Sequence, residues 1–73
     1  MDLVEFEDLG TEELIKYLAT QKVVLDANEQ AIFKKQKINA AALLVMTKAD
    51  LRAEGIPAGV AALVMSKIPP QAK

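Results

Sequence analysis

The sequence predicts an all-α domain, a compact bundle of five short helices packed orthogonally. Three observations carry this reading. Alanine, leucine, lysine and glutamate, all favourable to helix, are abundant. No segment alternates β-branched and polar residues with a period of two, as a half-buried strand would. Apolar clusters at helical spacing are punctuated only by Gly10, Gly55, Gly59, Pro57, Pro69 and Pro70, and they never extend over the three or four heptads that a coiled coil needs.

Residues 1–10 read as an irregular acidic arm, with Leu3, Val4, Phe6 and Leu9 placed to pack it onto the core. Helix one starts at Thr11 as N-cap, and Glu12 and Glu13 in its first turn face the positive end of the helix dipole. Leu14, Ile15, Tyr17 and Leu18 form its buried stripe. Asp26 and Glu29 have the spacing of a capping box and open helix two, which runs to about Gln36 or Lys37. Ala31, Ile32 and Phe33 give that helix its apolar contacts. Lys34, Lys35 and Lys37 gather at its negative C-terminal end.

Asn39 caps a short helix three over Ala40–Val45. Thr47 and Asp50 form the next N-cap pair, for helix four, with Leu51 as its inward anchor. Gly55 stands where a left-handed residue is wanted after a helix, and Ile56 follows it into the core. Pro57 suits the entry to helix five, which Pro69 and Pro70 terminate. The domain proper therefore spans 11–68, followed by a tail over 69–73.

These residues, in this order, resemble the sterile alpha motif (SAM) domain family over roughly residues 9–68. Tyr17-Leu18 matches an aromatic-Leu pair in the first helix, and Phe33 and Ile38 match a Phe and a following Ile. Leu43-Leu44, the Thr47 to Leu51 step and Gly55-Ile56 match the central motifs. Gly59, Val64, Met65 and Ile68 match the closing helix. Ala40 stands where the family often has Gly, the Gly55–Gly59 loop is one residue short of the commonest form, and the last helix lacks the Arg and Lys residues many members carry near its start.

The resemblance implies a protein-interaction module. In many members the start of the last helix docks on the middle of a neighbouring domain. Carried onto this chain, that end-helix surface is Pro57, Ala58, Val60, Leu63 and Lys67, and the mid-loop surface is Glu29, Asp50 and Glu54. The expected partner is another SAM domain or a second copy, with head-to-tail oligomers possible. A minority of the family binds RNA hairpins, and Lys34, Lys35 and Lys37 are the residues for that alternative. A solvated, dipole-matched helix end explains the same lysines.

Helix five carries the sharpest anomaly. Val60 to Met65 is apolar without interruption, whereas a surface helix shows polar residues opposite its core stripe. At 100° per residue, Val60, Ala61, Val64, Met65 and Ile68 share one broad face, and Leu63 and Lys67 lie on another flank. Leu63 then forms an exposed docking patch with Ala58, Val60 and Ala62, or it tucks against the arm beside Phe6 or Leu3.

Composition bounds the rest. The 73 residues carry ten acidic and nine basic side chains, a net charge of −1, with no histidine and no cysteine. Near-neutrality offers no basic stripe for nucleic acid, so nucleic acid is not the expected partner. Disulfides and His- or Cys-based metal sites are excluded, and no cofactor, metal or small-molecule substrate is expected. Without a His, a Cys or a Gly-rich phosphate loop, the chain is not expected to be an enzyme. The longest apolar run, Ala40 to Met46, is far short of the ~20 residues of a membrane span. The acidic start is unlike a signal peptide, and the absence of cysteine fits a reducing compartment. The expected location is intracellular, cytoplasmic or nuclear.

Overall fold

The computed structural model describes residues 3–68. The chain is all-helical there, with six helices: α1 (Leu3–Glu7), α2 (Thr11–Thr20), α3 (Ala27–Lys35), α4 (Ala40–Val45), α5 (Lys48–Ala53) and α6 (Ala58–Ser66). Helices one to five of the sequence reading correspond to α2–α6. The tail over 69–73, with Pro69 and Pro70, and the expected packing of the Leu3 side chain lie outside what the structure describes.

Capping side chains set where the helices begin. Asp26 Oδ1 accepts the Glu29 amide at 2.7 Å, and Glu29 Oε1 accepts the Asp26 amide at 2.9 Å. Thr47 Oγ1 accepts the Asp50 amide at 3.2 Å, and Asp50 Oδ2 accepts the Thr47 amide at 2.8 Å. Each box satisfies two backbone donors that the first turn leaves free. Asn39 Oδ1 accepts the Ala42 amide at 2.8 Å and starts α4. The cap of α2 falls on Gly10 rather than Thr11. Gly10 is extended (φ −73°, ψ 178°) and donates its amide to Glu13 Oε1 at 2.9 Å. Having no side chain, it returns no bond, so only half of a box forms.

Three helices end in one and the same reversal. After α2, the Lys22 amide donates to Ala19 O and the Val23 amide to Leu18 O. After α3, Lys37 donates to Lys34 O and Ile38 to Phe33 O. After α5, Gly55 donates to Arg52 O and Ile56 to Leu51 O. These are paired Schellman bonds, and they require a left-handed residue in the middle. Lys22, Lys37 and Gly55 supply it at φ 67°, 55° and 102°. Each reversal drops an apolar residue straight onto the helix it has just left. Val23, Ile38 and Ile56 are buried, as are Leu18, Phe33 and Leu51 beneath them.

The core gathers around these points. Phe6, Leu14, Leu18, Phe33, Leu43, Leu51 and Val64 are its largest fully buried side chains. The segment after Lys22 is extended, so alternate residues point opposite ways: Val23 and Leu25 are buried and Val24 is exposed. Helices α2 and α3, α1 and α4, and α5 and α6 pack as pairs.

The arm departs from the irregular segment expected of it. Residues Leu3–Glu7 are helical although five residues cannot hold a helix alone. Tertiary packing holds them. Phe6 is completely buried and meets Tyr17 edge to face, ring centroids 5.6 Å apart at 71°. The Ala40 amide, at the start of α4, donates to Leu9 O at 3.2 Å. Leu9 is half-buried, but Val4 is exposed and does not pack the arm down.

A left-handed lysine is disfavoured by roughly 1–2 kcal/mol relative to glycine. Part of that is offset, because glycine loses more conformational freedom on folding. Lys22→Gly and Lys37→Gly should each stabilise the domain by about 0.5–1 kcal/mol, and Gly55→Ala should destabilise it by about 1 kcal/mol or more. Denaturant unfolding of the three variants checks the signs.

Candidate interaction surface

Helix α6 has two apolar sides. Ala61 and Val64 are fully buried, and Val60, Met65 and Ile68 are half-buried against the core. Ala58, Gly59, Ala62, Leu63 and Ser66 are exposed. At 100° per residue these five fill one continuous arc opposite Ala61 and Val64. No charged residue occurs between Pro57 and Ser66, so the arc is apolar apart from the Ser66 hydroxyl. That hydroxyl donates to Leu63 O at 2.7 Å. Leu63 is 51% exposed, which leaves part of it standing out of the arc.

The remaining residues named for this surface flank the arc. Pro57, exposed, occupies the N-cap with φ −56° and ψ 148° and has no amide to leave unsatisfied. Val60, Leu63 and Lys67 follow at i, i+3 and i+7 along one edge. Lys67 is the C-cap residue, and its carbonyl accepts the Tyr17 hydroxyl at 3.1 Å. Gly59, matched above to the closing helix, was not assigned to this surface from the sequence. Its position, one turn before Leu63 at i−4, is the signal that would have found it.

The expected mid-loop surface divides. Asp50 and Glu54 are exposed, Asp50 in the first turn of α5 and Glu54 at its C-cap. Glu29 is a correction. It is only 7% exposed, and its carboxylate is held by the Asp26 amide. Closing the cap of α3 uses the charge that a partner would need, and burial removes it from reach.

Opposite Leu51 on α5 the outward residues are Ala49 and Ala53, with Lys48 and Arg52 on one flank and Asp50 on the other. Val45, at the end of α4, is 83% exposed. The surface around α5 is thus small and weakly apolar at its centre with charges of both signs around it.

A model of the SAM-like domain family matches residues 2–69. The chain belongs to the SAM-like domain family. The match reaches into the arm, in keeping with Phe6 being a core residue. No curated protein and no solved structure matches the chain. SAM-like domains are in general non-catalytic modules that bind other proteins, which gives this domain protein partners in the generic sense.

Other features of this SAM-like domain offer little chemistry. A groove of about 140 Å³ between α2 and α3 is lined by Glu12, Ile15, Lys16, Gln30 and Lys34, well below the ~300–1,000 Å³ of small-molecule sites. Lys34 Nζ stands 4.0 Å from Glu12, both side chains largely exposed, and a pair in water adds little stability. Among the described residues no His, Cys, Asp and Glu group could hold a metal, and no buried side-chain polar atom lacks a partner. No described helix is long and apolar enough to cross a membrane.

Gly59 has no role that the fold explains. A Cβ built there meets nothing within 4 Å, and its backbone is not left-handed. Gly59→Ala should therefore stabilise the isolated domain by about 0.5–1 kcal/mol, as read from its thermal unfolding midpoint. A loss of stability would show that the fold needs the glycine.

Proposed function

We propose that this SAM-like domain associates with another SAM domain, a second copy of itself included, by docking the start of α6 on a mid-loop surface. Pro57, Ala58, Val60 and Leu63 form the contact, and Lys67 flanks it. Asp50 and Glu54 line the receiving side. The observation that carries this reading is the uncharged outer arc of α6 with Leu63 half out in water. A helix that faced only solvent would carry polar residues there.

The mechanism is burial of a small apolar face. Full burial of a leucine is worth roughly 1.5–3 kcal/mol, so completing the burial of a half-exposed Leu63 contributes about 1 kcal/mol. The small residues Ala58, Gly59 and Ala62 let a partner backbone come close to the helix. An interface of this extent belongs with weak, transient contacts. Lys67 and the Asp50–Glu54 side would act at the rim, where charges set encounter rate and orientation more than affinity.

Sedimentation of the native domain and of Leu63→Glu and Val60→Glu tests the self-association version. The expected outcome is a concentration-dependent oligomer that each variant weakens at least about tenfold, because a carboxylate is driven into an apolar contact. A monomeric parent, or an unchanged oligomer in both variants, would sink it. Association should vary little with salt, since screening acts on charges and not on apolar burial.

A further inference from the structure

Tyr17 joins the two ends of the described chain. Its ring is the edge-to-face partner of Phe6, the fully buried anchor of α1. Its hydroxyl donates to the carbonyl of Lys67, at the C-cap of α6 and 50 residues away in sequence. One half-buried side chain on α2 thus holds a helix too short to stand alone and closes the last turn of another.

Other ties also hold α1. Helix α1 packs on α4, and its trailing Leu9 carbonyl accepts the Ala40 amide. The last turn of α6 has no basic residue within it, and Lys67 caps it at φ −99°. The Tyr17 hydroxyl supplies a donor to the C-cap carbonyl of α6, where terminal carbonyls have no partner within the helix.

We propose that α1 is a strap whose docking is coupled through Tyr17 to the closure of the α6 C-terminal turn. When Phe6 leaves its seat, the Tyr17 ring loses the neighbour that fixes it, and its bond to Lys67 O loosens. Linkage makes the effect reciprocal: freeing the end of α6 loosens α1. The two chain ends then open together in a local event, distinct from global unfolding. The coupling holds whether or not α6 docks on a partner.

Amide hydrogen exchange of the full chain tests this. Reporters are Leu9 and Ala40 for the strap, Lys67 for the end of α6, and Ile38 and Ile56 for the reversals elsewhere. Tyr17→Phe keeps the ring and removes only the hydroxyl. It should speed exchange at Lys67 and also at Leu9 and Ala40 by about three- to tenfold, the range of one net hydrogen bond. Ile38 and Ile56 should not change. Phe6→Leu should speed the same three amides, and adding it to Tyr17→Phe should speed Lys67 by less than it does alone. Acceleration at Lys67 without Leu9 and Ala40, equal acceleration at every amide, or no acceleration would each overturn the coupling. Tyr17→Phe decides the question even if Phe6→Leu does not fold.

Discussion

The reversal that follows α2, α3 and α5 is the contact on which the rest of the fold depends. In each, two backbone bonds close the helix end and the next apolar residue turns back over it. Val23 covers the end at Leu18, Ile38 covers Phe33, and Ile56 covers Leu51. A chain of this length buries only about 60% of the surface its unfolded form exposes, and its net stability is a few kcal/mol. Burying one aliphatic side chain contributes roughly 1.5–3 kcal/mol. Each plug is therefore comparable with the whole margin, and the loops of this domain are core as much as connection.

That economy bears on function. Polar side chains that look available in the sequence are already committed to helix starts, Asp26 and Glu29 above all. The inward side of α6 is committed too, through Ala61 and Val64. The opposite side of the same helix, from Ala58 to Ser66, has no such structural task. Its lack of charge gains nothing for folding, and it exposes Leu63 to water at some cost. The contrast between the fully used inner arc and the unused outer arc of α6 supports reading the outer arc as a recognition surface.

Much of this was legible in the sequence where a local hydrogen-bond pattern marks an element. Asp26 with Glu29, Asn39, and Thr47 with Asp50 announce helix starts because short polar side chains at those spacings can reach free amides. Gly55-Ile56 announces a reversal because glycine is the usual left-handed residue. The reversals at Lys22-Val23 and Lys37-Ile38 have the same bond pattern but are silent, since lysine gives no sign of a positive φ. Helix α1 is silent for another reason: five residues are too few to show a period, and only the socket beside Tyr17 makes them helical. Of the candidate site, the exposure of Leu63 followed from helical spacing, because a fixed rotation per residue assigns faces. The burial of Glu29 did not follow, because its cap bond was legible but the packing over it was not.

The most direct measurement of the central claim is a nuclear magnetic resonance dilution series on the native domain, from micromolar to millimolar concentration. Concentration-dependent amide shifts are expected on the exposed positions of α6 from Ala58 to Ser66, with a second set around α5 from Ala49 to Glu54. The reporters of the three reversals, Val23, Ile38 and Ile56, should stay fixed. Spectra that do not change with concentration, or changes centred on the α3 lysines with α6 unmoved, would contradict that claim.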